Sequence, residues 1–275
     1  VYNYLDELEA KSIYIIREAY NKLDPLGMMW SIGKDSTALL YMVRKAFFGR
    51  VPFPVALLDT DQEMDEVYAF RDRLIKEWDL DCINWKCPPE EEMDQTLPPN
   101  TRAAMRKTEG LKTLMEEHKF KGIFGGIRRD EQGLRAKERV FSPRSFDGTW
   151  DFKDQPPEFW DQYKTEFPFD DAGNAHLRVH PILHWTEIDI WRYHQRENIP
   201  FCELYLARED KETGKMMRYR SLGEKNLTFP VESPCTSIEE IIEELGVTEV
   251  SERSGRSMDT ETEDSFEKLR ARGYM

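Results

Sequence analysis

The sequence predicts an α/β fold: an open, mostly parallel, twisted sheet flanked by helices, with an irregular C-terminal extension. Three observations carry this expectation. Met28-Met29-Trp30 and Val55-Ala56-Leu57-Leu58 are short apolar runs without polar alternation, as in strands buried on both faces. Each run is followed by a stretch with apolar residues at helical spacing, so strand and helix alternate. Between the first strand and its helix lies Ser31-Ile32-Gly33-Lys34-Asp35-Ser36, a turn with the composition of an anion site.

Taken in order, residues 5–23 place Leu5, Leu8, Ile13, Ile15, Ile16, Ala19 and Leu23 on roughly one face of an opening helix. Asp24-Pro25 and Gly27 end it. From Thr37 on, Ala38, Leu39, Leu40, Val43, Ala46 and Phe47 recur helically, and Asp35 or Ser36 is placed to cap that helix. The second strand ends at Asp59-Thr60-Asp61, a helix with Val67, Phe70, Leu74 and Trp78 follows, and Cys82-Ile83-Asn84-Trp85 reads as a third strand. Right-handed crossovers then put the loops after the strands on one edge, where ligands of open α/β sheets bind. Residues 88–100 read as an acidic surface loop, and a helix with Met105, Leu111, Leu114 and Met115 returns to a strand at Ile123-Phe124.

Gly125-Gly126 opens the most charged stretch, which includes Arg128, Arg129, Asp130, Glu131, Arg135, Lys137, Glu138 and Arg139. Residues 145–175 read as loop. Thr186 caps a further helix, with Glu187 and Asp189 in its first turn and Ile190, Trp191 and His194 as its apolar face. Residues 207–235 read as polar and irregular, Ser237 to Leu245 as a short amphipathic helix, and the charged tail from Val250 is anchored by Phe266 and Leu269. This divides the chain into a nucleotide-binding α/β domain over 1–200 and an extension over 201–275 that covers a partner or substrate.

The 275 residues carry 53 acids against 39 Lys and Arg, a net charge of -14, which excludes general nucleic-acid binding but not a small anion in a local basic pocket. No apolar run approaches the roughly 20 residues that span a bilayer, and the N-terminal residues show no leader pattern, so a cytoplasmic protein away from membranes is expected. Cys82, Cys87, Cys202 and Cys235 lack metal-site spacing and are expected reduced. His176, His180 and His184 are spaced four apart, but Pro181 and an extended pattern argue for structural or solvent-facing histidines over a zinc site.

The Gly33-Lys34 turn is not a Walker A loop. Met28 stands where its first glycine belongs, and Asp35 follows the lysine in place of Ser or Thr. What remains is the Ser-x-Gly-Lys-Asp-Ser order that resembles the loop of nucleotide α-hydrolases, which grips the β,γ-pyrophosphate and leaves the α-phosphorus open. Asp59, at a strand end, is placed to contact the nucleoside; a solvated turn aspartate is the plainer alternative. Arginines beyond Gly125-Gly126 can hold a dianion and neutralise charge developing at phosphorus, where a solvated charged face is the alternative.

Together these residues resemble the small subunit (subunit 2) of heterodimeric sulfate adenylyltransferase, an adenine nucleotide α-hydrolase-like relative of phosphoadenylyl-sulfate reductase. The resemblance runs from Leu8-Glu9-Ala10 through Ser31–Ser36, Pro52-Phe53-Pro54, Asp59-Thr60, Lys107-Thr108-Glu109-Gly110 and Phe124-Gly125-Gly126. It continues in Arg128-Arg129-Asp130-Glu131, Arg135-Ala136-Lys137-Glu138-Arg139, Trp185-Thr186-Glu187, Val231-Glu232-Ser233, Ser251-Glu252-Arg253 and Gly273-Tyr274. It implies a catalytic subunit that joins sulfate to the α-phosphate of ATP, with Mg²⁺ on the phosphates and a GTPase large subunit as partner. On the matched positions, Ser31, Ile32, Gly33, Lys34, Asp35 and Ser36 hold pyrophosphate and Asp59 lies near the nucleoside. Gly125 and Gly126 let the backbone approach the nucleotide, while Lys34, Arg128, Arg129 and Arg135 act on sulfate and phosphate. The family's Leu-Gly-Cys followed by Pro-x-Thr-Gly is here Leu222-Gly223-Glu224 and a shorter segment, which affects any contact made there. The rival readings are an adenylating enzyme with another acceptor, a reductase of adenylyl sulfate, which needs a nucleophilic cysteine, and a non-enzymatic subunit regulating the GTPase.

Overall fold

The computed structural model describes residues 3–131, 133–145, 149–169, 175–248 and 252. Helix α1 (Tyr4–Lys22) leads into β1 (Leu26–Met29), α2 (Lys34–Ala46), β2 (Val55–Asp59), α3 (Asp65–Trp78) and β3 (Cys82–Lys86). Helix α4 (Pro99–His118), β4 (Gly122–Phe124), β5 (Phe141–Arg144), β6 (His176–Val179) and α5 (Glu187–Glu197) follow. Three short strands, β7 (Arg208–Glu209), β8 (Met216–Arg218) and β9 (Val231–Glu232), precede α6 (Ile238–Val247).

The main sheet has the order β3-β2-β1-β4-β6-β5, all parallel except β5, which runs antiparallel to β6. β1 and β2 are buried at every position, as the uninterrupted apolar runs require. Alternate residues serve opposite faces. Met28, Trp30, Val55 and Leu57 join the core beneath α1, α2 and α3, while Met29, Ala56 and Leu58 pack with Leu111, Leu114 and Met115 of α4. The chain builds outward from β1 to β3 and then crosses to β4 on the other side. The strand order therefore reverses between β1 and β4, and the crevice outside their C-terminal ends is the topological switch point.

Two parts differ from expectation. The stretch 207–235 is not wholly irregular: β7, β8 and β9 form a small antiparallel sheet whose two- and three-residue strands are too short to show a period. β6 reads as polar because His176 and Arg178 alternate with Leu177 and Val179; the apolar pair joins the main core while all four are buried. The capping boxes at Thr186 and Ser237 form, with Asp189 and Glu240 as reciprocal partners. Within 149–169 there is one 3₁₀ turn, Phe159–Asp161. Phe266 and Leu269 lie outside the described residues. No described helix is long and apolar enough to cross a membrane.

Candidate active site

α2 begins at Lys34, with Gly33 at its N-cap and no side-chain cap, so neither Asp35 nor Ser36 caps it. Both lie inside the first turn, where the Ser36 hydroxyl donates back to the Gly33 carbonyl at 3.2 Å. The Lys34 N–H instead donates to the Tyr205 hydroxyl at 3.0 Å. Ile32 has φ 63°, a left-handed conformation strained for a β-branched residue, and is held there by burial. Ser31 and Ser36 join their hydroxyls at 3.1 Å across the loop. The Trp30 indole N–H donates to Thr37 at 3.1 Å and ties the strand end to the helix.

The loop after β4 closes on this one. A Cβ on Gly126 would stand 2.8 Å from the Ser36 Cα, so only glycine lets the two backbones meet. Arg128 follows, fully buried, with Nε on Asp130 at 2.9 Å. Asp130 in turn accepts the Glu187 backbone N–H at 2.8 Å, anchoring the guanidinium to the first turn of α5. Arg128 also pairs with Asp35 and Glu252, and the Lys34 ammonium pairs with Asp35 at 3.1 Å and with Glu252. Burial weakens the charged form of Arg128, but Glu252, Asp130 and Glu131 outweigh it and raise its pKa.

Lys34, Asp35 and Glu252 border a cavity of about 210 Å³ at the switch point, and Arg128 pairs with the last two from behind the lining. Ser31, Gly33, Lys34, Asp35, Ser36, Gly125, Gly126 and Arg135 all line it, so most of the residues singled out from sequence converge there. Met29, Leu57, Leu58 and Leu111 give it an apolar part of its lining, and Lys107 stands 3.4 Å from both Glu63 and Glu224. Glu224 is buried, and Lys225 N–H donates to the Gln62 carbonyl at 2.8 Å, so the altered segment packs against the loop after β2. The lining is not basic, as expected, but balanced: Lys34, Lys107, Arg135 and Arg178 face Asp35, Glu63, Glu131, Glu138 and Glu252.

Four sequence-predicted residues do not line this cavity. Arg128 is fully buried and meets it through Asp35 and Glu252, which do line it. Ile32 is buried beneath the loop. Asp59 faces its own network, accepting from Tyr68 at 2.7 Å, Lys86 at 2.8 Å, Asn84 at 3.1 Å and the Asp61 N–H at 2.9 Å. Burial would raise its pKa, but these four donors bring it down to about 2, a structural carboxylate at the end of β2. Arg129 leaves the chain on the side opposite Arg128 and borders a separate cavity of about 260 Å³ with Lys11, Arg139, Glu158 and His184. It donates to His184 Nδ1 at 2.9 Å and to the Glu138 carbonyl at 3.1 Å.

Other residues enter the site unannounced. His180 lines it with Nδ1 2.8 Å from the Arg139 carbonyl, and burial pushes its pKa down to about 4, so the ring is neutral at pH 7. Arg178, Tyr205, Ser221 and Glu252 arrive from β6 and the C-terminal third. His194 is structural, its Nε2 2.9 Å from the Lys34 carbonyl. The four cysteines are free, and burial raises the Cys82 and Cys87 thiols to about 11. Among the described residues no group of three or more His, Cys, Asp and Glu could hold a metal ion.

Residues 25–230 match the phosphoadenosine phosphosulfate reductase domain family. The chain is 40% identical to sulfate adenylyltransferase subunit 2 of Shewanella loihica over 300 aligned residues, covering 98% of each chain. It is likewise 40% identical to that subunit from Pseudomonas aeruginosa over 304, again covering 98% of each. Among solved structures, Candida glabrata FMN adenylyltransferase aligns with TM-score 0.58 at 18% identity, over 92% of this chain and 87% of that one. Candida auris phosphoadenylyl-sulfate reductase, in a phosphate complex, aligns with TM-score 0.52 at 15% identity, over 81% and 94%. These structural likenesses concern the fold. The sequence relationship is closer and nearly full-length: the chain belongs to the sulfate adenylyltransferase subunit 2 family, within the phosphoadenosine phosphosulfate reductase domain.

Proposed function

We propose that the chain transfers the adenylyl group of ATP to sulfate, giving adenylyl sulfate and pyrophosphate. The observation that supports this best is the convergence of Lys34 and Arg128, from the loops after β1 and β4, on one carboxylate. Two cations on independent loops are thus already aimed at one oxyanion position. A sulfate oxygen attacks the α-phosphorus, the bond to the β-phosphate oxygen breaks, and pyrophosphate leaves with the electron pair. Sulfate is a dianion at neutral pH and has no proton to lose, so no general base is required. Positioning and charge neutralisation carry the reaction.

In this reading Ser31, Gly33, Lys34, Asp35 and Ser36 form the grip on the leaving pyrophosphate. Arg128 and Arg135, with Arg178 added by the structure, neutralise charge on sulfate and the α-phosphate. The adenine lies toward Met29, Leu57, Leu58 and Leu111, and Gly125 and Gly126 permit the close approach. Asp59 and Arg129 act from outside, holding the end of β2 and the 128–140 segment in place. Mg²⁺ would be held on triphosphate oxygens, beside the 31–36 loop, and would supply charge neutralisation there. The relatives' designation as subunit 2 supports a partner subunit, which we take to be a cytoplasmic GTPase whose hydrolysis drives the costly anhydride. Residues 201–275 are the segment assigned to covering substrate or partner.

The deciding experiment is pyrophosphate release from ATP, with and without sulfate or molybdate, and with and without a GTPase partner and GTP. Anion-dependent release supports the assignment; release that ignores the anion under every condition refutes it. A different acceptor is favoured only by Glu224, whose buried carboxylate beside Lys107 alters the cavity rim. The reductase reading lacks an activated thiol among the described residues, where burial raises the thiol pKa of all four cysteines.

A further inference from the structure

Glu252 is buried in the cavity lining, 218 residues from Lys34 and 124 from Arg128 in sequence, yet it bonds both. One carboxylate oxygen takes the Lys34 ammonium and the other takes Arg128 Nη2. Both cations are held by carboxylates. Lys34 has three N–H groups, and its partners are Asp35, Glu252 and the Arg220 carbonyl. Arg128 places Nε on Asp130, Nη1 on Asp35 and Nη2 on Glu252. A phosphate or sulfate oxygen that bridges the two cations at the Glu252 position must replace that carboxylate.

The acceptors are not equally replaceable. Asp35 adjoins Lys34 in the chain, and Asp130 is fixed by the Glu187 N–H, so both stay with their loops. Glu252 bridges the two cations, as Asp35 does, but unlike Asp35 it is tied to neither loop by sequence. Its charge is secure: burial disfavours the ionised form, but Lys34 and Arg128 hold it well below the usual carboxylate range.

We propose that the Glu252 carboxylate is a resident stand-in for the substrate's oxyanion, holding Lys34 and Arg128 in their aimed positions and yielding both to phosphate or sulfate oxygens when substrate enters. The proposal rests on the pyrophosphate-grip reading of residues 31–36. It gives Glu252 two effects that a purely structural ion pair would not combine. The carboxylate keeps two buried cations from being left unpaired, and it competes with the ligand for them.

Inorganic pyrophosphate binding to the full-length chain, followed by calorimetry and thermal melting, tests this in wild type, Glu252→Gln, Glu252→Asp and Lys34→Ala. Glu252→Gln keeps the shape and removes the charge. It is expected to bind pyrophosphate about tenfold tighter, because no charged hydrogen-bond partner must be displaced. Its unliganded melting temperature should fall, and pyrophosphate should raise it by more than in wild type. Glu252→Asp should remain near wild type in both readouts. Unchanged or weaker pyrophosphate binding in Glu252→Gln, with wild type binding normally and Lys34→Ala losing binding, would overturn the competition while leaving the grip intact. Failure of wild type and Glu252→Gln alike to bind pyrophosphate would instead overturn the grip reading and the proposal with it.

Discussion

Gly126 and Ser36 are locked together by backbone: a Cβ on Gly126 would meet the Ser36 Cα at 2.8 Å and its N at 3.0 Å. Ser36 is in the first turn of α2, whose residues 36–40 are all buried. Gly126→Ala is therefore expected to push the loop after β4 away from the loop after β1. A misplacement of about 1 Å between groups that act together costs on the order of 100-fold in turnover. The loss of stability should be smaller, about 1–3 kcal/mol. Steady-state kinetics and urea unfolding on the same preparation separate the two.

Lys34 and Arg128 share an anion but are expected to fail differently. Lys34→Ala should abolish pyrophosphate release, by 100-fold or more, because the leaving group loses its charge partner. Arg128→Ala should depress anion-dependent turnover more than ATP binding. Equal losses in both measurements would move Arg128 away from the sulfate side.

Arg129 offers the contrasting case. Its neighbours are His184 and the Glu138 carbonyl, in the cavity behind the site. Arg129→Ala should cost about 1 kcal/mol of stability through those hydrogen bonds and leave pyrophosphate affinity within about twofold. A large loss of pyrophosphate affinity would return Arg129 to the site.

The two arginines also show where sequence reading reaches its limit. The alternation of apolar runs and helical spacing made β1, α2, β2, α3 and β3 readable, because burial on both faces writes itself into composition. The 31–36 loop was readable because its chemistry is local. Arg128 and Arg129 have the same composition and adjoining positions, and only the path of the chain decides which side each faces. Glu252 and Tyr205 were not assigned to the site for another reason: they reach it through contacts spanning more than a hundred residues, and nothing local gives them that role. Asp59 was placed correctly at a strand end, but its orientation depends on Lys86 and Asn84 from the neighbouring strand β3.

Acid should unfold the protein in two stages. Burial lowers the pKa of His180 and His194 to about 4. In the unfolded chain each returns to about 6.5, so the unfolded state takes up protons first as pH falls. Stability is then full above about pH 6.5 and declines toward pH 4, by up to about 1.4 kcal/mol per pH unit for each histidine. Asp59 and Glu252 have depressed pKa values, so their contributions persist above the ordinary carboxylate range and are lost only at lower pH. Urea midpoints at pH 7, 6 and 5 should decrease in sequence, and His194→Gln should flatten the trend; a flat wild-type profile would contradict the buried neutral rings.

The balanced lining of the cavity has a consequence for how substrate arrives. Lys34, Lys107 and Arg135 are each matched by a carboxylate, and the chain as a whole carries a charge of -14. Seen from the solvent, the protein repels the polyanion it is built to receive, and attraction begins only at contact. Diffusional capture of ATP should therefore speed up as ionic strength rises and the Debye length shrinks, the reverse of a cleft that steers its ligand by long-range field.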